Sequence, residues 1–138
     1  INIMFFKNSD KKEDLIKITA LLIHAAKIDQ NFTEKEEKII EDTLLKIGAE
    51  TKDLKNIIDE GKKIEENSNQ ILDFTKEVKS MSNEKKILIV ETLWQIIYSN
   101  NDVDIYESNL MRRLGGLLYI DSKIMGNIKE KIKKQNSK

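Results

Sequence analysis

Apolar residues recur every three or four positions along most of this chain, and that spacing predicts helices. The first is expected over Asp10–Ile28, with Asp10 and Glu13 as a capping box and Leu15, Ile18, Leu22 and Ala25 on one face. A second runs from Glu34 to Ile47, striped by Ile39, Ile40, Leu44 and Ile47 and stopped by Gly48. A third, from Thr51 to Glu66, carries Leu54, Ile57, Ile58 and Ile64. Asn67 with Gln70 is placed to cap a fourth, bearing Ile71, Leu72, Phe74 and Val78. The fifth starts after Ser82, and its stretch ILIVETLWQIIY (87–98) is interrupted only by Glu91, Thr92 and Gln95. A helix apolar nearly all round is buried nearly all round, so this one is expected at the centre. A sixth over Ile105–Leu118 and a seventh after Asp121 complete the chain. No segment alternates as a strand does. The fold class is therefore all-α, a single domain of about seven helices, with an N-terminal arm at 1–9 and the helical domain at 10–138.

A shift of 71 residues lays one half of the chain on the other. It carries Glu36 onto Glu107, Ile39 onto Leu110, Ile40 onto Met111 and Ile47 onto Leu118. The preceding helices also match: Leu22 with Leu93, Ala25 with Ile96, Ala26 with Ile97. Ile57 falls on Ile128. Two similar three-helix halves joined by a connector helix are expected.

Composition narrows the function more than the fold. The 138 residues carry 24 basic and 24 acidic side chains, so nothing marks a nucleic-acid binder. Cysteine is absent, which excludes disulfides and thiolate metal sites and fits a cytoplasmic chain. The apolar start INIMFFKNS is too short to span a bilayer; it reads as a packed arm, or as an anchor for a membrane surface or partner. There is no glycine-rich phosphate loop, no nucleophile elbow and no Cys–His pair, so no enzyme is expected. His24 and Trp94 read as rim or core residues. Glu91 either faces water beside Gln95 or is buried with a partner, the first being favoured. Arg112 and Arg113 are expected to pair with acids. Mid-helix glycine costs about 1 kcal/mol relative to alanine, so at least one of Gly115 and Gly116 should permit close packing on another helix.

One phrase occurs twice: DQNFTEKEEKII (29–40) and NNDVDIYESNLM (100–111). Thr33 with Glu36, and Asp104 with Glu107, form capping boxes, and Phe32 and Val103 sit where an apolar residue staples the entering chain. Caps leave Asp29, Asn31, Asn100 and Asp102 unexplained. Oxygen side chains in a tight turn can surround a hard cation, and turn-forming Asx residues would look the same. Neither phrase is an EF-hand loop, since the sixth and twelfth positions hold Glu34 and Ile40, or Ile105 and Met111. The candidate oxygen donors are Asp29, Asn31, Glu36, Asp102, Asp104 and Glu107.

AAKIDQNFTEKE (25–36) resembles the A-x-A-D-G-x-hydrophobic-x-x-x-E phrase of the TerB-like family, named for tellurite resistance. ETLWQIIYSNNDVDIYESNLMRRL (91–114) resembles the family's second phrase, which runs from E-x-L-W through Asp-Gly to a later Glu. The resemblance implies an all-α fold, of a kind also found beside J-domain co-chaperone modules. It further implies a non-enzymatic binding module for a protein partner, with a divalent cation such as calcium held by surface acids and no cofactor required. By that resemblance Asp29 and Glu36 take the first acidic positions and Glu107 the last. Asn100 stands where the family has Asp, and Gln30 and Asn101 stand where it has Gly. The lost glycines alter the turn's shape, and the lost charge weakens a cation site. The family name alone does not imply tellurite resistance.

Overall fold

The computed structural model describes residues 3–27, 32–68, 72–99 and 105–136. They form α1 (Ile3–Ala26), α2 (Glu34–Ile47), α3 (Leu54–Glu66), α4 (Leu72–Lys79), α5 (Asn83–Tyr98), α6 (Ile105–Leu117) and α7 (Ser122–Asn136). A 3-10 turn at Thr51–Asp53 leads into α3. There is no strand among the described residues, and the chain is a single all-α domain. None of the described helices is long and apolar enough to cross a membrane.

Two boundaries differ from the sequence reading. Residues 3–9, read as part of an arm, are the first turns of α1, which runs unbroken through Asp10, so no helix starts there. No proline or glycine precedes Gly48 to stop a helix there. Asn67 closes α3 rather than opening α4, its N–H donating to the carbonyls of Lys63 and Ile64. Its partner in the expected cap, Gln70, lies outside the described residues.

The buried centre is shared by two helices, where the sequence singled out one. In α1 every residue from Ile18 to Ile23 is buried, with Ala25 and Ala26. In α5 the buried set includes Ile89, Val90, Leu93, Trp94, Ile96 and Ile97. α1 and α5 pack on each other. Around them α3 and α4 lie on α1, α7 lies on α5, and α2 touches both. Each fully buried Leu or Ile stabilises the fold by roughly 1.5–3 kcal/mol.

The 71-residue shift holds in three dimensions. It carries α2 onto α6, the segment starting at Thr51 onto α7 starting at Ser122, and α1 from residue 12 onward onto α5. The tightest pairings, α1 with α3 and α5 with α7, are then the same pairing in each half. Burial follows: Leu22 and Leu93, Ile40 and Met111, Ile47 and Leu118, Ile57 and Ile128 are all core. Even the helix ends repeat. At the end of α2 the N–H of Ala49 donates to the Leu44 carbonyl and that of Gly48 to Leu45. At the end of α6 Ile120 donates to Gly115 and Tyr119 to Gly116, which are the same bonds moved by 71. This pattern is a Schellman cap, whose closing residue takes positive φ. Gly48 does so without strain (φ 120°), whereas Tyr119 adopts φ 58° with a side chain to accommodate.

Buried hydroxyls are satisfied locally. Thr92 donates to the Leu88 carbonyl (2.8 Å), so in its 2.6 Å contact with Thr43 of α2 the Thr43 hydroxyl is the donor. Thr19 donates to the Leu15 carbonyl (2.7 Å), which fixes its methyl group against Gly61 of α3.

A Cβ placed on Gly61 would lie 2.7 Å from Thr19 Cγ2 and 3.3 Å from the Ile16 carbonyl oxygen. Gly61→Ala should therefore lower stability by about 1–3 kcal/mol through overpacking, despite alanine's better helix propensity. Thr19→Ser, which deletes the obstructing methyl, should recover part of that loss in the double variant. Urea unfolding reads both; a Gly61→Ala protein more stable than its parent would refute the close α1–α3 contact.

Candidate functional site

The first of the two repeated turns is anchored on both sides by described residues. On its C-terminal side, Thr33 and Glu36 form the expected capping box. The Thr33 N–H and hydroxyl donate to Glu36 Oε1 at 2.8 and 3.0 Å, and the Glu36 N–H donates to Thr33 Oγ1 at 3.2 Å. Glu36 is 0% exposed. A carboxylate can be carried inside because the backbone N–H groups of the first turn of α2, at the positive end of its dipole, stabilise the charge. Phe32 packs against the core, with Lys62 Nζ 5.6 Å from its ring centre. The same Lys62 pairs with Glu37 at 3.1 Å.

On its N-terminal side the turn leaves α1 beside a second ionic cluster. Glu65, on the buried face of α3, accepts from Lys27 at 2.8 Å through Oε1. Its Oε2 lies 3.4 Å from Nδ1 of His24, whose ring tilts toward Phe74. The hydrogen bond from Lys27 to Glu65 raises the Lys27 pKa above its ordinary value, with the charges of Glu65 and Glu66 adding to it and burial opposing it. The rim position expected for His24 is thus what forms. Glu65 was missed by sequence reasoning. The signal was an acid standing four residues after Gly61 and seven after Ile58, on the apolar stripe of α3.

Of the candidate donors, Asp29, Asn31, Asp102 and Asp104 lie outside the described residues, as do Asn100 and the side chain of Glu107, whose backbone falls in the first turn of α6. Glu36 is the one whose side chain is described, and its Oε1 serves the helix cap. Among the described residues no three His, Asp or Glu side chains gather as a metal centre would need.

The second half differs in its charges. Glu91 is neither open to water nor fully enclosed: its side chain is 22% exposed and its Oε2 sits 3.0 Å from Lys131 Nζ of α7. The predicted open stripe is closed by α7, which packs on α5. Trp94 is core, as expected; it stacks near Tyr98, and Lys129 Nζ lies 5.4 Å from its ring centre. Burial raises the Tyr98 pKa, with Glu130 adding to the effect. Tyr119 behaves oppositely, its pKa lowered by a hydrogen bond with Lys79 and by that lysine's charge. Contrary to expectation, neither Arg112 nor Arg113 makes an ion pair among the described residues. Gly115 does permit close packing: a Cβ there would stand 3.2 Å from Met125 Cγ of α7.

These features define an all-α domain of two similar halves, in each of which a buried helix is followed by a second helix, the first of these, α2, being capped by Thr33 and Glu36. Residues 15–130 match the family model described as Tellurite resistance protein TerB, and the chain belongs to the TerB family. No curated protein and no solved structure matches it.

Thr33→Ala removes an acceptor that holds the first turn of α2 and should cost about 0.5–2 kcal/mol in urea unfolding. Asp104→Ala, at the equivalent position before α6, should cost a similar amount. No shift of the midpoint in either variant would remove the capping role.

Proposed function

We propose that this chain is a non-enzymatic binding module of the TerB family, working in the cytoplasm within stress or tellurite-resistance-type systems. Its acidic turns hold a divalent cation weakly, and a protein partner reads the occupied or empty state. The observation that carries this reading is the duplication itself. Two phrases rich in oxygen side chains follow α1 and α5 in the sequence, and those two helices pack together at the centre. Asp29, Asn31, Asp102 and Asp104 supply the oxygens, with Glu36 and Glu107 behind them. The equal numbers of acids and bases support a protein rather than a nucleic acid as partner.

A second reading has its own support. The Glu36 carboxylate accepts two hydrogen bonds within its helix cap, which favours a purely structural interaction domain whose turns hold no metal.

Calcium takes 6 to 8 oxygens, more than one turn offers in side chains, and Asn100 lowers the charge of the set. Binding is therefore expected at a Kd of about 10⁻⁴–10⁻³ M. At ten times that concentration the ion adds only about 1.4 kcal/mol of stability. Calorimetric titration of chelator-treated protein with calcium, magnesium and manganese should show weak binding, while the helical circular dichroism stays unchanged by chelator. No heat at millimolar ion, or binding that survives the double change Asp29→Ala with Asp102→Ala, would leave the structural reading standing.

A further inference from the structure

α6 and α7 follow one another in the chain, yet α7 packs mainly on α5, and a cavity of about 400 Å³ remains between the two. Trp94 of α5 lines it, and Met111 and Met125 contribute apolar wall. Gly115 and Met125 make a close contact across the gap. A Cβ on Gly116 or Gly126 would meet nothing within 4 Å, so these two lining glycines leave space open.

The first half provides an internal comparison. There the position of Gly115 is held by Leu44 and that of Lys129 by Ile58, both buried in the core. The position of Arg112 is held by the acid Glu41. In the second half the same framework has exchanged core-filling side chains for a glycine and a lysine, and an acid for an arginine. Arg112 and Lys129 both line the cavity, and neither is engaged in an ion pair among the described residues. Lys129 is held over the Trp94 ring instead. The indole N–H of Trp94, shielded from solvent, also has no acceptor among the described residues. The surroundings are thus rich in donors and positive charge on an apolar base.

We propose that this cavity binds a small organic anion. Its carboxylate lies between Arg112 and Lys129, and its apolar body rests on Trp94 and the two methionines. The volume falls within the range of small-ligand pockets, which combine apolar walls with a few polar groups that fix orientation. Guanidinium is the side chain best matched to a carboxylate. An inorganic anion would leave the methionine walls wet, and an uncharged apolar molecule would leave both cations without a counter-charge.

Trp94 is the chain's single tryptophan, so its fluorescence reports on this cavity alone. Titration with octanoate should give a saturable change in Trp94 emission, with matching calorimetric heat. Octanamide and inorganic phosphate should each bind at least about tenfold more weakly, the equivalent of losing one favourable charge contact. Arg112→Gln and Lys129→Gln should weaken octanoate by about five- to tenfold each, and Gly126→Leu should fill the space and abolish binding. Circular dichroism and urea midpoints confirm that each variant is folded. The proposal is overturned by absence of saturable octanoate binding at millimolar concentration. It is equally overturned by octanamide binding as well as octanoate, by phosphate matching it, or by affinity unchanged in both charge variants and in Gly126→Leu.

Discussion

The packing of α1 against α5 is the contact on which the other elements depend. Both helices are too apolar to face water, and neither can be buried by a single neighbour. Each must be covered on several sides, and the remaining helices are the covering. α3 and α4 serve α1, α7 serves α5, and α2 touches both, joined to α5 by the Thr43–Thr92 hydroxyl pair. Small residues set how close the covering can come. Gly61 lets α3 descend onto Thr19, and Gly115 lets α6 meet Met125.

Duplication explains why there are two such central helices. A three-helix unit cannot by itself bury a helix with so long an apolar stretch; two copies bury each other's. The Schellman caps of α2 and α6 share one geometry bond for bond. Sequence has drifted beneath that geometry: Tyr119 occupies a left-handed position that suits glycine, a strain of about 1–2 kcal/mol. The hydrogen bonds of the cap and the contact with Lys79 hold it there. Once the shared core was secure, the remaining positions were free to diverge, and the halves now carry different charges on the same frame.

Charge is placed where backbone or partner can support it. Glu36 is enclosed at the N-terminus of α2, where the Thr33 N–H and hydroxyl donate to it. Glu65 is enclosed between Lys27 and His24 at the end of α1. Both buried carboxylates hold hydrogen bonds within their own neighbourhoods, Glu36 through Oε1 and Glu65 through Lys27.

Much of the fold was legible in the chain because helix formation is local. The 3.6-residue spacing, Gly48, Ser82 and the Thr33–Glu36 pair each act within a few residues, and they placed α2, α5, α6 and α7 closely. The repeat was legible for the same reason: equal patterns give equal helices. Asp10 and Asn67 misled because a capping residue competes with helix continuation, and the neighbouring sequence decided otherwise. What local pattern could not hold is which helices meet. Burial of α1 as deeply as α5, the pairing of Glu91 with Lys131 and of Glu65 with Lys27, and the cavity beside Trp94 join residues 35 to 40 positions apart or on three different helices. Such contacts depend on how rigid helices stack, and stacking is set by the summed shape of every buried face. The sequence by itself determined the helices, most of their ends and the repeat; only the tertiary structure decided which charges found partners and where space was left.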